Sequence, residues 1–304
     1  MGEPPSLTRQ QVADAAGVSV ALADELWRLL GFPKPEIDEL AFTTADVDAL
    51  RHTKELIQQG ILSPGESAAL VRTWGRSFAR LAEWETALLA DIARNRPGDL
   101  ISEAAGLAIN AIPRVEALQS YAWRRHLAGA AARVLDVSGA EATPMAVCFV
   151  DIVGYTARSR ALSEEELVVW VEEFEATATG LAIDHGCRVI KTLGDAVLLV
   201  SEDPVAAAET ALALTAKGED EDDPFPRVRA GLAVGPVVAR LGDVFGPTVN
   251  LASRLTAVAR PGAVVLDDGA AEALTGGYSL RRLRRTSVKG YSRLQPWVLR
   301  QIAD

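Results

Sequence analysis

Two hydrophobic rhythms divide this chain, and they change over near residue 138. Up to that point apolar residues recur every three to four positions, the spacing of amphipathic helices. Thr8 and Gln11 predict a capping box for a helix over Arg9–Ala16, turned off by Gly17. Ser19 caps a second helix that ends at Gly31, with Pro33 just beyond. Thr43 or Thr44 starts a third, which stops near Gly60. Ser63-Pro64 pairs a capping residue with a first-turn proline and opens a long helix to about Asn95. Pro97-Gly98 breaks it, and helix resumes over residues 99–137, with a kink or restart expected at Pro113. Trp27, Trp74, Trp84 and Trp123 fall in this half, and on helices they read as core anchors.

Residues 138–144, Ser-Gly-Ala-Glu-Ala-Thr-Pro, are a small-residue linker. Beyond it, short continuous apolar runs of strand type alternate with helices. Strands are expected at 146–150, 188–191, 196–200, 227–234 and 263–266, with weaker candidates near Leu280 and Val298. Ser163 and Glu166 form a capping box for a helix to Asp184, and another helix covers 204–217. The acidic run 218–223 reads as a solvated loop. Alternation of this kind belongs to an α/β or α+β domain, so an all-α domain over 1–137 precedes a mixed one over 138–304.

Composition narrows the partners. A chain of 304 residues has room for two ordinary domains. Its net charge of −10 argues against nucleic acid, because gripping a phosphate backbone needs a basic surplus. Residues 11–30 do look like a helix-turn-helix. The candidate recognition helix, however, offers Asp24, Glu25 and a single base, Arg28, which suits packing better than a major groove. Cys148 and Cys187 sit among apolar residues and read as buried reduced thiols of a cytoplasmic protein. No apolar run is long enough to span a bilayer. Met1-Gly2-Glu3-Pro4 is no secretory signal; it fits the loose myristoylation pattern and reads as a disordered tail.

Three segments carry candidate chemistry. Asp151 ends an apolar strand, where a charge is costly without a partner. Val189-Ile-Lys191-Thr-Leu-Gly-Asp195 reads as a hairpin that puts Lys191 and Asp195 on opposite arms of its tip. Two acids on neighbouring strand ends, Asp151 and Asp195, suit a divalent cation, since magnesium takes one or two carboxylates plus substrate phosphates. After Gly246 a helix is expected, and Asn250 and Arg254, four apart, share one face of it. Taken singly, each segment also has an ordinary explanation: a strand-end turn, a surface ion pair, an exposed polar face.

Together they resemble the class III adenylyl/guanylyl cyclase catalytic domain, in Phe149-Val-Asp-Ile-Val-Gly-Tyr-Thr156, Ile190-Lys-Thr-Leu-Gly-Asp195 and Asp243-x-x-Gly-x-x-Val-Asn250-x-x-x-Arg254. The resemblance covers about half the chain. It implies a βαββαβ ferredoxin-like core with added strands and helices, and a homodimer with its active sites at the interface. It implies that ATP becomes 3′,5′-cyclic AMP and pyrophosphate with two divalent ions, Mg²⁺ or Mn²⁺, per site. On that resemblance Asp151 and Asp195 hold the metals, Lys191 and Asp243 read the adenine, Asn250 orients the ribose and Arg254 stabilises charge on the reacting phosphate. Lys289, in Ser-Val-Lys-Gly-Tyr, matches a lysine that binds the triphosphate. Guanylyl cyclases of the family typically carry Glu and Cys in place of the Lys/Asp pair. Tyr155 replaces the usual Phe, Pro247 stands where polar residues are common, and the stretch between Gly235 and Asp243 is short.

The first half is similar to the helical regulatory domain of soluble actinobacterial cyclases, in its bihelical opening, in Phe42-Thr-Thr-Ala-Asp-Val-Asp-Ala-Leu50 and in Phe225-Pro-Arg-Val-Arg-Ala-Gly231. That resemblance implies an autoinhibitory domain, in some members pH-responsive. His52 and His126 are candidate proton sensors, each also readable as an ordinary surface histidine, and a proton or a small apolar ligand between the helices is a candidate regulator that no residue pattern marks. A guanylyl cyclase, a non-catalytic cyclase-like sensor and a DNA-binding regulator are the alternatives. No Gly-Gly-(Asp/Glu)-Glu-Phe signature of a diguanylate cyclase occurs.

Overall fold

Local capping chemistry starts most of the helices. In the computed structural model, which describes residues 3–63, 67–136, 143–288 and 290–301, Thr8 and Gln11 close a capping box on α1, Arg9–Ala16. Gly17, left-handed at φ 66°, ends it. Ser19 caps α2, Val20–Leu30, which Gly31 terminates. Thr43 and Asp46 box α3, Thr44–Gln58. The apolar sides of these three helices meet in a cluster of Val12, Ala13, Ala16, Ala23, Trp27, Phe42, Val47 and Leu50. Trp27 stacks on Phe42 with ring centroids 4.2 Å apart. The helix pair that looked like a DNA reader therefore turns Ala23 and Trp27 inward.

Two long helices follow, α4 over Ala68–Arg94 and α5 over Leu100–Asp136. The start expected at Ser63-Pro64 falls partly outside the described residues; α4 is described from Ala68, and Ser67 Oγ accepts from the Ser63 backbone N–H at 2.8 Å. Helix α5 runs unbroken through Pro113. One lost hydrogen bond does not end a helix with several turns on both sides. Only Trp27 of the four tryptophans is a core anchor; Trp74, Trp84 and Trp123 are exposed on α4 and α5.

By contact, the chain separates into two units, Met1–Gly139 and Ala140–Asp304. The linker expected at 138–144 lies mostly outside the described residues, and so does Lys289.

The second unit is built on strand β1, Thr143–Ile152. A short helix α6, Tyr155–Ser159, and a long one, α7, Glu164–Asp184, lead to the hairpin β2, Arg188–Thr192, and β3, Ala196–Ser201. Helix α8, Pro204–Glu219, returns the chain to β4, Val228–Arg240. This β1-α7-β2-β3-α8-β4 run has spatial order β2-β3-β1-β4 and antiparallel pairing throughout, which is the split βαβ arrangement. Then come β5, Asp243–Phe245; α9, Pro247–Val258; β6, Val264–Leu266; α10, Asp268–Ala273; β7, Ser279–Arg282; the β8–β9 hairpin, Thr286–Val288 and Tyr291–Leu294; and β10, Trp297–Arg300. β6 joins β4 in parallel, and β10 and β7 extend the sheet.

Both faces of the sheet are covered. Ala146, Cys148, Val150 and Ile152 of β1 point into a cluster with Phe174, Ala178 and Ala182 of α7 and Ala207, Ala211 and Leu214 of α8. Met145 and Val147 point the other way, into a cluster with Ala252 and Leu255 of α9 and Val244 of β5. Two buried faces are why β1 reads as a continuous apolar run rather than an alternating one.

Candidate active site

Side-chain alternation on the sheet decides where the polar residues go. Asp151 follows Val150 on β1 and so projects on the α9 side. Arg229 on β4 is its direct cross-strand neighbour and projects on the same side. The Arg229 guanidinium donates from Nε at 2.8 Å and from Nη2 at 2.7 Å to Asp151 Oδ2. Sequence reasoning missed Arg229. The available signal was a lone base between Val228 and Ala230 of an apolar strand, facing an acid that needed a partner.

Asp195 sits in the β2–β3 turn, where its carbonyl accepts from the Ile152 N–H at 2.9 Å. Gly194, at φ 71°, supplies the left-handed step of that turn. The turn brings the Asp195 carboxylate near Asp151. Burial pushes the Asp151 carboxyl above its ordinary range; Arg229 pulls it down, but the negative charge of Asp195 adds to the rise. Asp151 Oδ1 and the Asp195 carboxylate have no hydrogen-bond partner among the described residues. This donor set fits the divalent cation that the resemblance implies, since hard oxygen ligands with free lone pairs are what magnesium and manganese take. No group of three or more His, Cys, Asp or Glu gathers among the described residues. Two carboxylates with the remaining ligands drawn from a phosphate and water is a habit of magnesium.

Lys191 reaches its place through an irregularity. Val189 pairs with Leu199, but Lys191, not Ile190, pairs with Leu198. The surplus residue is a β-bulge. Without it Lys191 would fall opposite Val197, whose side chain faces the α7–α8 layer. With it Lys191 stands opposite Leu198, on the α9 side. There its ammonium donates to Asp243 Oδ2 at 2.6 Å. Asp243 opens β5, which turns back from β4 through Leu241 and Gly242, both at positive φ (54° and 78°). This is the two-residue hairpin geometry that Asn-Gly usually fills, and a leucine there is strained. Burial pushes Asp243 up, but the Lys191 ammonium and the Val244 N–H, at 2.8 Å, more than offset it and hold the carboxyl below its usual range.

Helix α9 carries Asn250 and Arg254 on one side. Their side chains have no hydrogen-bond or ion-pair partner among the described residues. The helix lies directly on β4 at Gly231, where an added Cβ would collide with Ala252 O, Thr256 N and Thr256 Oγ1. Thr248 Oγ1 donates to Pro236 O at 2.8 Å and pins the first turn. Gly231 is the second position that sequence reasoning passed over as a determinant of the site.

Asp151, Lys191, Asp243, Asn250 and Arg254 thus all belong to the α9 side of one sheet, with Asp195 at its rim. Lys289 lies outside the described residues. His52 on α3 and His126 on α5 are exposed and far apart in sequence.

Comparison with known proteins points one way. The sequence family described as the adenylate and guanylate cyclase catalytic domain matches residues 137–301. An adenylate cyclase of Streptomyces coelicolor is 40% identical over 281 residues, covering 90% of this chain and 73% of that protein. An adenylate cyclase of Glutamicibacter nicotianae is 35% identical over 324 residues, covering 98% of this chain and 80% of its own. Among solved structures, the catalytic core of a rhodopsin-guanylyl cyclase with converted specificity, in complex with ATPαS, superposes with a TM-score of 0.50 at 24% identity. It covers 54% of this chain and 99% of that one, a likeness of fold.

Proposed function

The chain belongs to the adenylate and guanylate cyclase catalytic domain family, and from that premise we propose that it converts ATP to 3′,5′-cyclic AMP and pyrophosphate. The observation that carries the choice of ATP is the 2.6 Å Lys191–Asp243 pair, which joins two strands 52 residues apart in sequence. An ammonium and a carboxylate side by side offer one donor and one acceptor. The lysine donates to an acceptor on the adenine ring and the aspartate accepts from the exocyclic amine; guanine presents the reverse at that edge.

Asp151 and Asp195 hold the divalent ions, magnesium or manganese. When bound, such ions acidify the ribose 3′-hydroxyl and neutralise the triphosphate and the leaving pyrophosphate. Arg229 keeps Asp151 in place and partly neutralised beforehand. Asn250 orients the ribose. Arg254 donates to the charge that grows on the α-phosphate as the 3′-oxygen bond to phosphorus forms and the bond to pyrophosphate breaks. Lys289 binds the triphosphate.

The working form in this reading is a homodimer with two equivalent shared sites. One chain supplies Asp151 and Asp195; its partner supplies Lys191, Asp243, Asn250 and Arg254. The apolar surroundings of the Lys191–Asp243 pair favour it. Leu193, Val238, Leu241 and Phe245 all stand exposed there, Val238 by 56% and Phe245 by 50%. Residues 1–137 form a regulatory domain over the catalytic domain 138–304, restraining it in response to a proton or a small apolar ligand.

Mixing an Asp151→Ala chain with an Asn250→Ala chain tests the reading. Each alone is silent, and verified heterodimers recover one intact site, about half of wild-type cyclic AMP formation per dimer. Heterodimers with no activity sink the shared site. A folded wild-type dimer silent with both ATP and GTP sinks the cyclase.

A further inference from the structure

The last strands of the chain carry a surplus of positive charge. Residues 279–300 hold six arginines, one lysine and no Asp or Glu, in a protein whose net charge is −10. Strand register gathers part of that charge on one side. Val298 of β10 packs on the α9 side. Arg281 of β7 is its direct cross-strand partner, and Arg300 stands two residues further along β10. Both therefore project on the α9 side as diagonal neighbours, with Cβ atoms about 7–8 Å apart. Arg260 joins them from the turn between α9 and β6, where its carbonyl accepts from the Ala263 N–H at 3.0 Å. The three arginines line a cleft of about 420 Å³ whose walls include Val258, Val265 and Leu283. No acid is among the residues that line it. All three arginines are exposed, and none has a hydrogen-bond or ion-pair partner among the described residues. Glu219, which lies against Gly262 at the margin of the cleft, is already held by Arg227 at 2.7 Å. The negative end of the α9 dipole accounts for a base at position 260, but it fades within one turn and leaves Arg281 and Arg300 unexplained.

We propose that this cleft binds a small organic phosphate carrying two or more negative charges, at a site that shares no residue with the candidate active site. Asp151, Lys191, Asp195, Asp243, Asn250 and Arg254 do not line it. Three like charges in one concavity repel each other, and an anion with at least two charges relieves that repulsion. The bases are all arginine, whose planar fork meets two oxygens of a phosphate at once. The volume is that of a small-molecule pocket, larger than a bare ion fills. Val258, Val265 and Leu283 give the body of an organic phosphate an apolar wall to lie on. A lipid surface fits less well, because among the described residues no large apolar side chain stands exposed between positions 259 and 300. A nucleic acid fits less well too, since its row of phosphates calls for a broad basic face. The bases here divide between faces: Arg282 projects on the other side of the sheet, over the Trp297 ring at 4.6 Å.

Isothermal titration calorimetry of the full chain, in EDTA and without ATP, tests the site. Fructose 1,6-bisphosphate is the probe, with inorganic phosphate and fructose for comparison. The bisphosphate binds with a Kd below about 1 mM, inorganic phosphate about tenfold or more weakly, and fructose not at all. Each charged hydrogen-bonding partner removed costs about tenfold. Arg281→Ala/Arg300→Ala therefore weakens the bisphosphate about a hundredfold, while Arg293→Ala, on β9 and outside the cleft, leaves its Kd unchanged. The double variant keeps wild-type cyclic AMP formation, which separates loss of this site from damage to the catalytic one. If circular dichroism shows the double variant unfolded, phenylglyoxal labelling of the wild type, read by mass spectrometry, replaces it: the bisphosphate protects Arg260, Arg281 and Arg300 but not Arg293. No binding of the bisphosphate overturns the proposal, as does labelling without protection. Inorganic phosphate that binds as tightly as the bisphosphate overturns it in favour of a bare-ion site. Binding that survives the double variant and is lost in Arg254→Ala puts the probe in the catalytic site and also overturns it. Because binding is read without turnover, a chain silent with ATP and GTP removes only the cyclase reading.

Discussion

Asp151 and Asp243 each have a basic side chain within 2.8 Å, yet their carboxyls are shifted in opposite directions. At the strand end, burial and Asp195 together outweigh Arg229, and Asp151 is held above its ordinary range. On the β4–β5 arm, Lys191 and a backbone N–H outweigh burial, and Asp243 is held below. A nearby cation does not by itself decide the state of an acid; the count of charges and dipoles around it does. Folding has satisfied the arm and left the strand end in need of another cation. That is the division expected if the arm selects a base and the strand end recruits metal for the reaction.

The sharpest way to break this contrast is at the strand end. Asp195→Ala removes one of the two carboxylates that meet there, and several kcal/mol of transition-state stabilisation go with it. Cyclic AMP formation should fall by about a thousandfold or more, with the thermal transition little changed. Arg254→Ala, on neither acid, should lower kcat about a hundredfold with a smaller change in KM for ATP, measured by initial rates. On the arm, Lys191→Glu/Asp243→Cys exchanges the donor and acceptor, and the ratio of ATP to GTP kcat/KM should drop by about tenfold or more. Asp243→Asn isolates the ion pair itself, which is partly exposed and contributes at most about 1 kcal/mol. Because the Asp243 carboxyl is held low, that contribution is complete above its unfolded value and is lost as pH falls through its folded value. Urea midpoints of wild type and variant should therefore differ at pH 7 and converge on acidification. Leu241→Asn relieves a left-handed leucine beside the arm and should raise stability by about 1 kcal/mol in the same measurement.

What sequence could deliver was mostly what lies within a few residues. The boxes Thr8–Gln11 and Ser163–Glu166 span three residues each, and the helices they open are where the spacing placed them. Short elements escaped: β5 has three residues, too few for a period to show, and α6 has five. Arg229 acquires its meaning from Asp151, 78 positions away, and only strand register connects them. The acidic run after α8 read as plain loop, but Glu219 still belongs to the helix and binds Arg227, and Lys217 binds Asp223. Trp74, Trp84 and Trp123 looked like anchors because residue type does not tell which way a helix is turned. Asp151, Lys191, Asp195, Asp243, Asn250 and Arg254 were legible as candidates only through family likeness. Their common side of the sheet follows from alternation and from one bulge.

That bulge separates base choice from segment length. The lysine reaches the arm because the chain carries one residue more than the ladder has places for, at Ile190. An in-frame loss of codon 190 would leave every polar residue of the site in the gene and change no charge. It would also leave the lysine next to Val189 and opposite Leu198, so the ladder would close with the ammonium still on the α9 side. The side on which the lysine stands is thus set by its partner on β3 and not by its count along the chain, and divergent copies are better aligned here by strand pairing than by length.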